Sequence, residues 1–432
     1  MVSRRRVLMT GASAIAGALL ARGARADEAS AAPPRAPENE VAGTTERASV
    51  VVPNGSVLSW KRVDGVKVYH LVAEPVVREF APGLIVNCWG YNGATPGPLI
   101  EAVEGDRVRI YVTNKLPEPT TVHWHGILLP NGMDGVAGLT QKKIEPGETF
   151  KYEFTLRQWG TYMYHPHFDE MVQMGLGMMG MFVIHPREPL GPKVARDFAV
   201  MLSEWAVKPG TSRPDTTVMT DFNVLTMNSK AFPGTVPLVV ARGDRVRIRL
   251  GNLSATDHHP IHLHGHQFKI VGTDGGPIPE AGQWPESTVI VPVGSTRTIE
   301  FVADAAGDWP FHCHMTHHVM NQMGHGLPNM IGVAPGAADD RIQSLLPGYM
   351  SMGQAGMGEM AEMQGMPVPR NSIPMRGGQG PYGAIDMGGM FTVLKVRERV
   401  AGAGDPGWYE HPNGSVASTA SAAELRRDGV RT

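Results

Sequence analysis

The chain has 432 residues, of which 42% are hydrophobic and 19% charged, an ordinary composition for a globular protein of two or three domains. Its net charge of −2 offers no electrostatic attraction to nucleic acid or to an anionic membrane surface, so neither is expected as a partner. Two cysteines, Cys88 and Cys313, could form one disulfide at most.

Residues 1–26 have the pattern of an export signal. Three arginines at positions 4–6 precede a mildly apolar run, and residues 24–26, Ala-Arg-Ala, have the small residues of a cleavage site. The paired arginines favour the twin-arginine route over the general secretory route, and the mature protein is predicted to be periplasmic or secreted. Residues 27–48, rich in Ala, Pro and Glu, are predicted to be a disordered linker. No other run of about 18 apolar residues occurs, so no membrane span is expected.

An internal repeat predicts the architecture. Residues 105–114 recur as residues 243–252 in a near-copy, which indicates a duplication. Each copy has a turn followed by the apolar/polar alternation of a half-buried strand. The same alternation occurs in further short runs, at 66–77, 149–156, 182–184, 198–207, 289–291 and 296–302. Short strands without long helical patterns predict an all-β protein built from two β-sandwiches or Greek-key barrels.

The repeat also aligns four His-x-His pairs. The pair His123 and His125 matches His262 and His264, and the pair His165 and His167 matches His312 and His314. On a strand the two imidazoles of a pair point to one face, so four pairs supply enough nitrogen donors for three copper ions with open positions for dioxygen. A single pair could equally be structural, but four pairs at duplicated positions indicate a metal cluster. Structural zinc would require more thiolates than this pattern contains.

The segment from His312 to Met323 contains a second kind of metal site. Cys313, His318 and Met323, together with a second imidazole, have the donor chemistry of a blue-copper electron-transfer centre. If Cys313 lies on a strand, His312 and His314 point to the opposite face, so this tripeptide would connect the two centres across one sheet. The first-domain counterparts of His259, Cys313, His318 and Met323 are Thr120, Pro166, Met171 and Leu176. The first domain is therefore predicted to lack a blue-copper centre.

These motifs resemble the four copper-binding signatures of the multicopper oxidases over about residues 50–336. The short distance from His167 to His259 leaves no room for the middle domain of three-domain laccases, so the chain resembles the two-domain bacterial laccases. The resemblance implies two cupredoxin-like Greek-key β-barrels, at 49–190 and 191–336, of which the second holds type 1 copper. It also implies four coppers per chain and a homotrimer with clusters at subunit interfaces. Residues 337–432 are predicted to form a Met/Gly-rich extension with a disordered tail.

The resemblance also assigns a role to each ligand. Type 1 copper would be held by His259, Cys313 and His318, with Met323 as the axial ligand. Type 2 copper would be held by His123 and His262. One type 3 copper would be held by His125, His165 and His314, and the other would be held by His167, His264 and His312. Asp134 resembles the acid that serves type 2 copper with protons in the family. An ordinary turn aspartate is the alternative.

The predicted function is laccase-like oxidation of a small aromatic or metal-ion donor by dioxygen. Two other functions remain as alternatives. The many methionines suggest a cuprous oxidase or periplasmic copper-resistance protein, since thioethers suit cuprous ions, although they could equally form an adaptable packing strap. They occur at Met171, Met174, Met178, Met179, Met181, Met350, Met352, Met357, Met360, Met363, Met366, Met375, Met387 and Met390. A copper nitrite reductase is less favoured, because that family has type 1 copper in the first domain, where this chain has Pro166.

Overall fold

The computed structural model describes residues 48–208, 210–321, 329–330, 341, 344–345, 350–351, 370–373, 377–400, 402 and 404–431. The predicted signal, almost all of the predicted linker, Met323 and most of the Met-rich segment lie outside these residues.

The first half of the described chain forms two β-sheets with a shared core. Its elements are β1 (Val50–Val51), β2 (Trp60–Val63), β3 (Val66–Ala81), β4 (Leu84–Tyr91), β5 (Ile100–Val103), β6 (Arg107–Asn114), β7 (His123–His125), β8 (Thr149–Thr155), β9 (Gly160–His165), α1 (Glu170–Gly175) and β10 (Gly180–His185), with a 3₁₀ turn at Asn131–Met133. One sheet has the order β2-β3-β6-β8 with β4 beside β3, and the other has the order β5-β10-β9-β7. Alternate side chains of both sheets point inward and form one core, which includes Trp124, Tyr152 and Phe182.

The second half repeats this arrangement. Its elements are β11 (Arg196–Trp205), β12 (Val224–Met227), β13 (Leu238–Ala241), β14 (Arg245–Asn252), β15 (His259–Leu263), β16 (Phe268–Thr273), β17 (Gly276–Pro277), β18 (Pro285–Glu286), β19 (Thr288–Val291), β20 (Ser295–Val302), β21 (Gly307–Cys313), β22 (Asn329–Met330), β23 (Met350–Ser351), β24 (Gln379–Gly380), β25 (Gly383–Ala384), β26 (Phe391–Arg397) and α2 (Ala422–Arg427), with 3₁₀ turns at Glu280–Gly282 and Thr316–Val319. The two main sheets have the orders β1-β11-β14-β20-β16-β17 and β13-β26-β21-β15-β19. Their inner faces enclose a second core.

The strand pairing shows the predicted duplication. The first copy of the repeat is β6, which is parallel to β3 and antiparallel to β8. The second copy is β14, which is parallel to β11 and antiparallel to β20. In the other sheets β10 lies between β5 and β9, just as β26 lies between β13 and β21. The all-β fold and its two related β domains are therefore confirmed.

Two strands belong to a different domain from the one that the sequence predicted. β1, placed within 49–190, pairs with β11 in a sheet of the second domain. β26, placed within the extension 337–432, pairs with both β13 and β21. The second domain therefore closes at Arg397, and the Met-rich segment is an insertion between β21 and β26. Local patterns missed this because β26 is separated in sequence from the rest of its sheet.

Part of the tail that was predicted to be disordered contacts β26. Lys395 Nζ lies 2.6 Å from a carboxylate oxygen of Asp405, and Arg397 donates a 2.6 Å hydrogen bond to the Gly407 carbonyl. The Tyr409 amide donates a 2.7 Å bond to Asp308. Further on, α2 begins with a reciprocal capping box. Charged side chains of the last barrel strand thus hold the chain beyond Gly402.

The two domains pack together through β9. Thr161 Oγ1 accepts a 2.8 Å hydrogen bond from the Arg249 guanidinium, and the Thr161 carbonyl accepts one of 2.8 Å from Thr296 Oγ1. Arg249 is itself buried and forms a bidentate pair with Asp197. These contacts anchor the strand that ends at His165.

Candidate metal centres

Three predicted ligands converge in the core of the second domain. Nδ1 of His259 lies 3.2 Å from Nδ1 of His318, and Cys313 Sγ lies 3.8 Å from the first nitrogen and 3.5 Å from the second. All three side chains are at most 1% exposed. Donor atoms at these separations can all lie about 2.0–2.3 Å from one shared metal ion.

Neighbouring strands and one tight turn create this triangle. His259 begins β15 and Cys313 ends β21, and the two strands pair with Ile261 opposite Cys313. The 3₁₀ turn Thr316–Val319 follows at once and returns His318 towards the sulfur. The turn is compact because the amide of His318 bonds to the Met315 carbonyl at 2.9 Å.

Hydrogen bonds at the far side of each ring leave Nδ1 available for a metal. Nε2 of His259 lies 2.7 Å from Ser254 Oγ, and Nε2 of His318 lies 3.2 Å from an Asp257 carboxylate oxygen. With Nε2 protonated, each Nδ1 directs its lone pair towards the sulfur. Burial lowers the pKa of His259 to about 3 and of His318 to about 4, so both rings are neutral at neutral pH. Burial also raises the pKa of Cys313 to about 12, and a bound cation would offset this by stabilising the thiolate.

The corresponding position in the first domain contains hard donors that bond to each other. Thr120, the counterpart of His259, donates a 2.6 Å hydrogen bond to Gln173 Oε1. The Gln173 amide donates a 2.7 Å bond to the Pro119 carbonyl, and both side chains are fully buried. Met171, the counterpart of His318, is 55% exposed. Sequence alignment of the two copies did not identify Gln173, because its counterpart in the second domain has no related role.

Four predicted ligands lie together on the first domain. His123 and His125 on β7 pair with β9, so that His123 lies opposite His165, and ligand atoms of these three lie within 4.8 Å of one another. Nδ1 of His125 is 3.2 Å from Nε2 of His165. The ring of His167 lies 5.6 Å from that of His123. Burial lowers the pKa of His165 to about 3 and also lowers the pKa of His125, so these imidazoles are neutral.

The other four lie together on the second domain. The rings of His264, His312 and His314 lie 4.7–5.7 Å from that of His262. Nε2 of His264 is 3.1 Å from Nε2 of His312. Burial lowers the pKa of His312 to about 4. This group lies on the outer face of the sheet whose inner face carries Cys313, as the strand alternation predicted.

Main-chain carbonyls orient four of these eight rings, and one of the four is His262, whose Nδ1 lies 2.7 Å from the Ser287 carbonyl. Nδ1 of His123 donates to the Asp134 carbonyl at 2.7 Å, and Nδ1 of His165 donates to the Pro166 carbonyl at 2.8 Å. Nδ1 of His312 donates to the Cys313 carbonyl at 2.7 Å. In each case Nε2 remains free to bind a metal.

The two groups of four do not meet within one chain. Across the described residues, no hydrogen bond or ring contact joins a histidine of one group to a histidine of the other. His125 lies within hydrogen-bonding reach of the Gly294 carbonyl, which follows the end of β19. His262 lies opposite Thr288, the first residue of β19. The three residue steps from Thr288 to Val291 alone span about 10 Å. One chain therefore presents two separate half-sets of ligands.

Two acidic residues contact the first-domain group. The Asp134 carboxylate lies 3.6 Å from Nδ1 of His123, which agrees with its predicted location beside that ligand. The Glu170 carboxylate lies 3.4 Å from Nδ1 of His165 and was not predicted. Its position three residues after His167, at the start of α1, was the signal that could have identified it.

The methionine cluster after His167 is mostly part of the core. Met178, Met179 and Met181 are each at most 4% exposed, and Met179 and Met181 pack with Met163 and Met201 between the domains. In that cluster only Met171 is largely exposed.

Comparisons with known proteins agree with this geometry. Residues 76–189 and 208–331 match two domain families that are both described as multicopper oxidase. The chain belongs to the multicopper oxidase family. A thiolate with two imidazoles, and clustered neutral imidazoles, are donors that suit the copper that this family implies.

Individual relatives cover different parts of the chain. Copper resistance protein A of Escherichia coli is 46% identical over 114 residues, which are 26% of this chain and 18% of that protein. Laccase-2 of Botryotinia fuckeliana is 29% identical over 304 residues, 60% of this chain and 50% of that protein. The crystal structure of a blue copper oxidase from Nitrosomonas europaea aligns with a TM-score of 0.56 at 28% identity, over 76% of this chain and 85% of that one. The chain thus spans half or less of the length of these two curated relatives.

In the described part of the chain, no helix is long and apolar enough to cross a membrane.

Proposed function

We propose that the protein is a laccase-like oxidase, which couples one-electron oxidation of phenols, aryl amines or metal ions to four-electron reduction of dioxygen to water. One observation carries the proposal. β21 ends with Cys313 in a buried triangle of one sulfur and two imidazole donors, while His312 and His314 lie on the opposite face among other imidazoles. Bound copper would supply a one-electron acceptor at the triangle and a site for dioxygen reduction at the imidazoles. The strand itself is the covalent path between them.

The ligand roles are those that the family resemblance implies, and the donors that lie together support part of them. We propose His259, Cys313 and His318, with Met323 as axial ligand, for type 1 copper, and His123 with His262 for type 2 copper. The pairs His125/His165 and His264/His312 approach within 3.1–3.2 Å, which supports assigning each pair to one type 3 copper. His314 would complete the first of these sites and His167 the second, for four coppers per chain. Asp134, beside His123, would deliver protons for dioxygen reduction.

The assembly proposed is a homotrimer. Each chain has one half-set of histidines on each domain, and among the described residues no contact joins the two half-sets within the chain. If the first-domain half-set faces the second-domain half-set of a neighbour, a head-to-tail ring of three chains completes three clusters. Ile290, which is exposed on the strand that pairs with His262, would be covered by such a contact.

Copper content, absorption and oxygen uptake test the proposal together. The purified protein is expected to contain about four coppers per chain, to show an intense blue band and to consume oxygen with a phenolic donor. One copper or none, or no blue band, would contradict it. A monomer by light scattering that retained four coppers and oxygen uptake would contradict the trimer alone.

A cuprous oxidase of periplasmic copper resistance is the second candidate. The 46% identity to a copper resistance protein favours it, together with the Met-rich segment that precedes the last barrel strand in the sequence. This candidate would be favoured if the protein oxidised cuprous ions much faster than phenols and if deletion of residues 352–369 abolished that activity.

A nitrite reductase is disfavoured, because Thr120 and Gln173 bond to each other where that family requires type 1 ligands. The N-terminal pattern supports export to the periplasm or beyond.

A further inference from the structure

Glu204, on β11, is a buried carboxyl group that no proposed ligand role uses. It is 6% exposed. Its Oε1 accepts hydrogen bonds from the Thr256 amide at 2.6 Å, from Thr256 Oγ1 at 3.3 Å and from the Asp257 amide at 3.4 Å. Its Oε2 is buried and has no donor among the described residues. A buried oxygen without a partner requires a physical explanation.

Another carboxyl group lies beside Glu204. The Asp257 side chain lies within hydrogen-bonding reach of it, and two ionised carboxylates cannot bond to each other. Asp257 is 33% exposed and accepts from Nε2 of His318. Glu204 is buried more deeply, and its Oε2 accepts no hydrogen bond from the described residues. Burial, with a smaller contribution from the negative charge of Asp257, raises the pKa of Glu204 well above its usual range.

We propose that Glu204 is a positioning residue, a neutral acid whose Oε2–H donates to Asp257 and holds the Asp257 carboxylate against Nε2 of His318. The unpartnered oxygen is then a donor rather than an unsatisfied acceptor. The carboxylate in turn keeps the proton of His318 on Nε2 and Nδ1 free for a metal. Because the His318 ring is 1% exposed and Asp257 is 33% exposed, Asp257 is also a polar group that an electron donor can contact at this edge, a consequence that rests on the proposed function.

Two substitutions test whether a hydrogen-bond donor at position 204 is required, or only a side chain of similar size. Glu204→Gln retains the shape, the accepting carbonyl and a donor towards Asp257, whereas Glu204→Leu removes all polar atoms. Glu280→Gln, at an exposed site, is the matched control. The full-length chain is studied free of metal, by infrared spectroscopy for the carbonyl band of a protonated carboxylic acid and by ¹⁵N NMR for the Nε2–H of His318.

At neutral pH the native protein is expected to show the acid band, which disappears in both Glu204 variants and remains in Glu280→Gln. The Nε2–H signal of His318 should persist in Glu204→Gln and be lost through fast exchange in Glu204→Leu. An acid band that survives in Glu204→Gln, or an unchanged His318 signal in Glu204→Leu, would overturn the proposal. Neither measurement depends on oxidase activity, so absence of oxygen uptake by the copper-loaded native protein would contradict the proposed function alone.

Discussion

Asn252 holds the loop that contacts the imidazoles of His259 and His318, the proposed type 1 ligands. Its Nδ2 donates to the carbonyls of Asp257 at 3.0 Å and Val291 at 2.9 Å, and its Oδ1 accepts from the Ser254 amide at 2.9 Å. The side chain is fully buried. Asn252→Leu leaves three backbone groups unpaired at about 1 kcal/mol or more each, so we expect the free energy of unfolding to fall by about 3 kcal/mol. Ser254 and Asp257 would also shift, which disturbs the Nε2 contacts of the two histidines.

The duplication provides a matched control at Asn114. Its Nδ2 donates to the carbonyls of Glu118 and Ile144 at 2.9 Å each, and its Oδ1 accepts from the Leu116 amide at 2.9 Å. Asn114→Leu should therefore cost the same free energy without affecting type 1 copper, because the loop it holds carries no ligand of that centre.

The assay combines urea unfolding of the metal-free protein with absorption of the copper-loaded protein. Both variants should lose stability, but only Asn252→Leu should lose intensity in the thiolate-to-copper band. A change in unfolding free energy below about 0.5 kcal/mol for Asn252→Leu would refute the hydrogen-bond argument. Equal loss of the band in both variants would refute the argument that only the loop held by Asn252 affects type 1 copper.

Three further outcomes are expected. Burial lowers the pKa of His165 and His259 to about 3, below the roughly 6.5 of an unfolded histidine, so the unfolded chain binds more protons and the metal-free protein should lose stability as pH falls from 6.5 towards 3. A urea midpoint that stays constant over that range would contradict this. Asp134→Asn keeps the main-chain carbonyl that orients His123, so copper content should be unchanged while oxygen uptake falls and its pH profile shifts; native turnover at every pH would exclude a proton role. Cys313→Ser removes the thiolate, so the blue band should vanish and the copper count should fall by about one, and a variant that stays blue would exclude Cys313 as the ligand.

The predicted strands agree with the structure where the apolar/polar alternation lies within one short stretch of the chain. The two copies of the repeat are β6 and β14, and the alternating run at 66–77 lies within β3. The sequence did not show that β26, which lies in the predicted extension, belongs to the sheet of β13 and β21. Gln173 and Glu204 were missed, because each contacts a partner that is distant in sequence. Glu170 was missed although it lies close to its partner His165 in sequence.

The sequence by itself determined the kinds of donors and the faces they occupy. A strand turns each successive side chain to the opposite face, so the order His-Cys-His already separates Cys313 from His312 and His314. Only the tertiary structure decided which ring nitrogen faces the sulfur, since that depends on Ser254 and Asp257 at the far side of the rings. It also decided that the two groups of histidines lie apart in one chain, because their separation depends on how whole domains pack and not on the spacing of neighbouring residues.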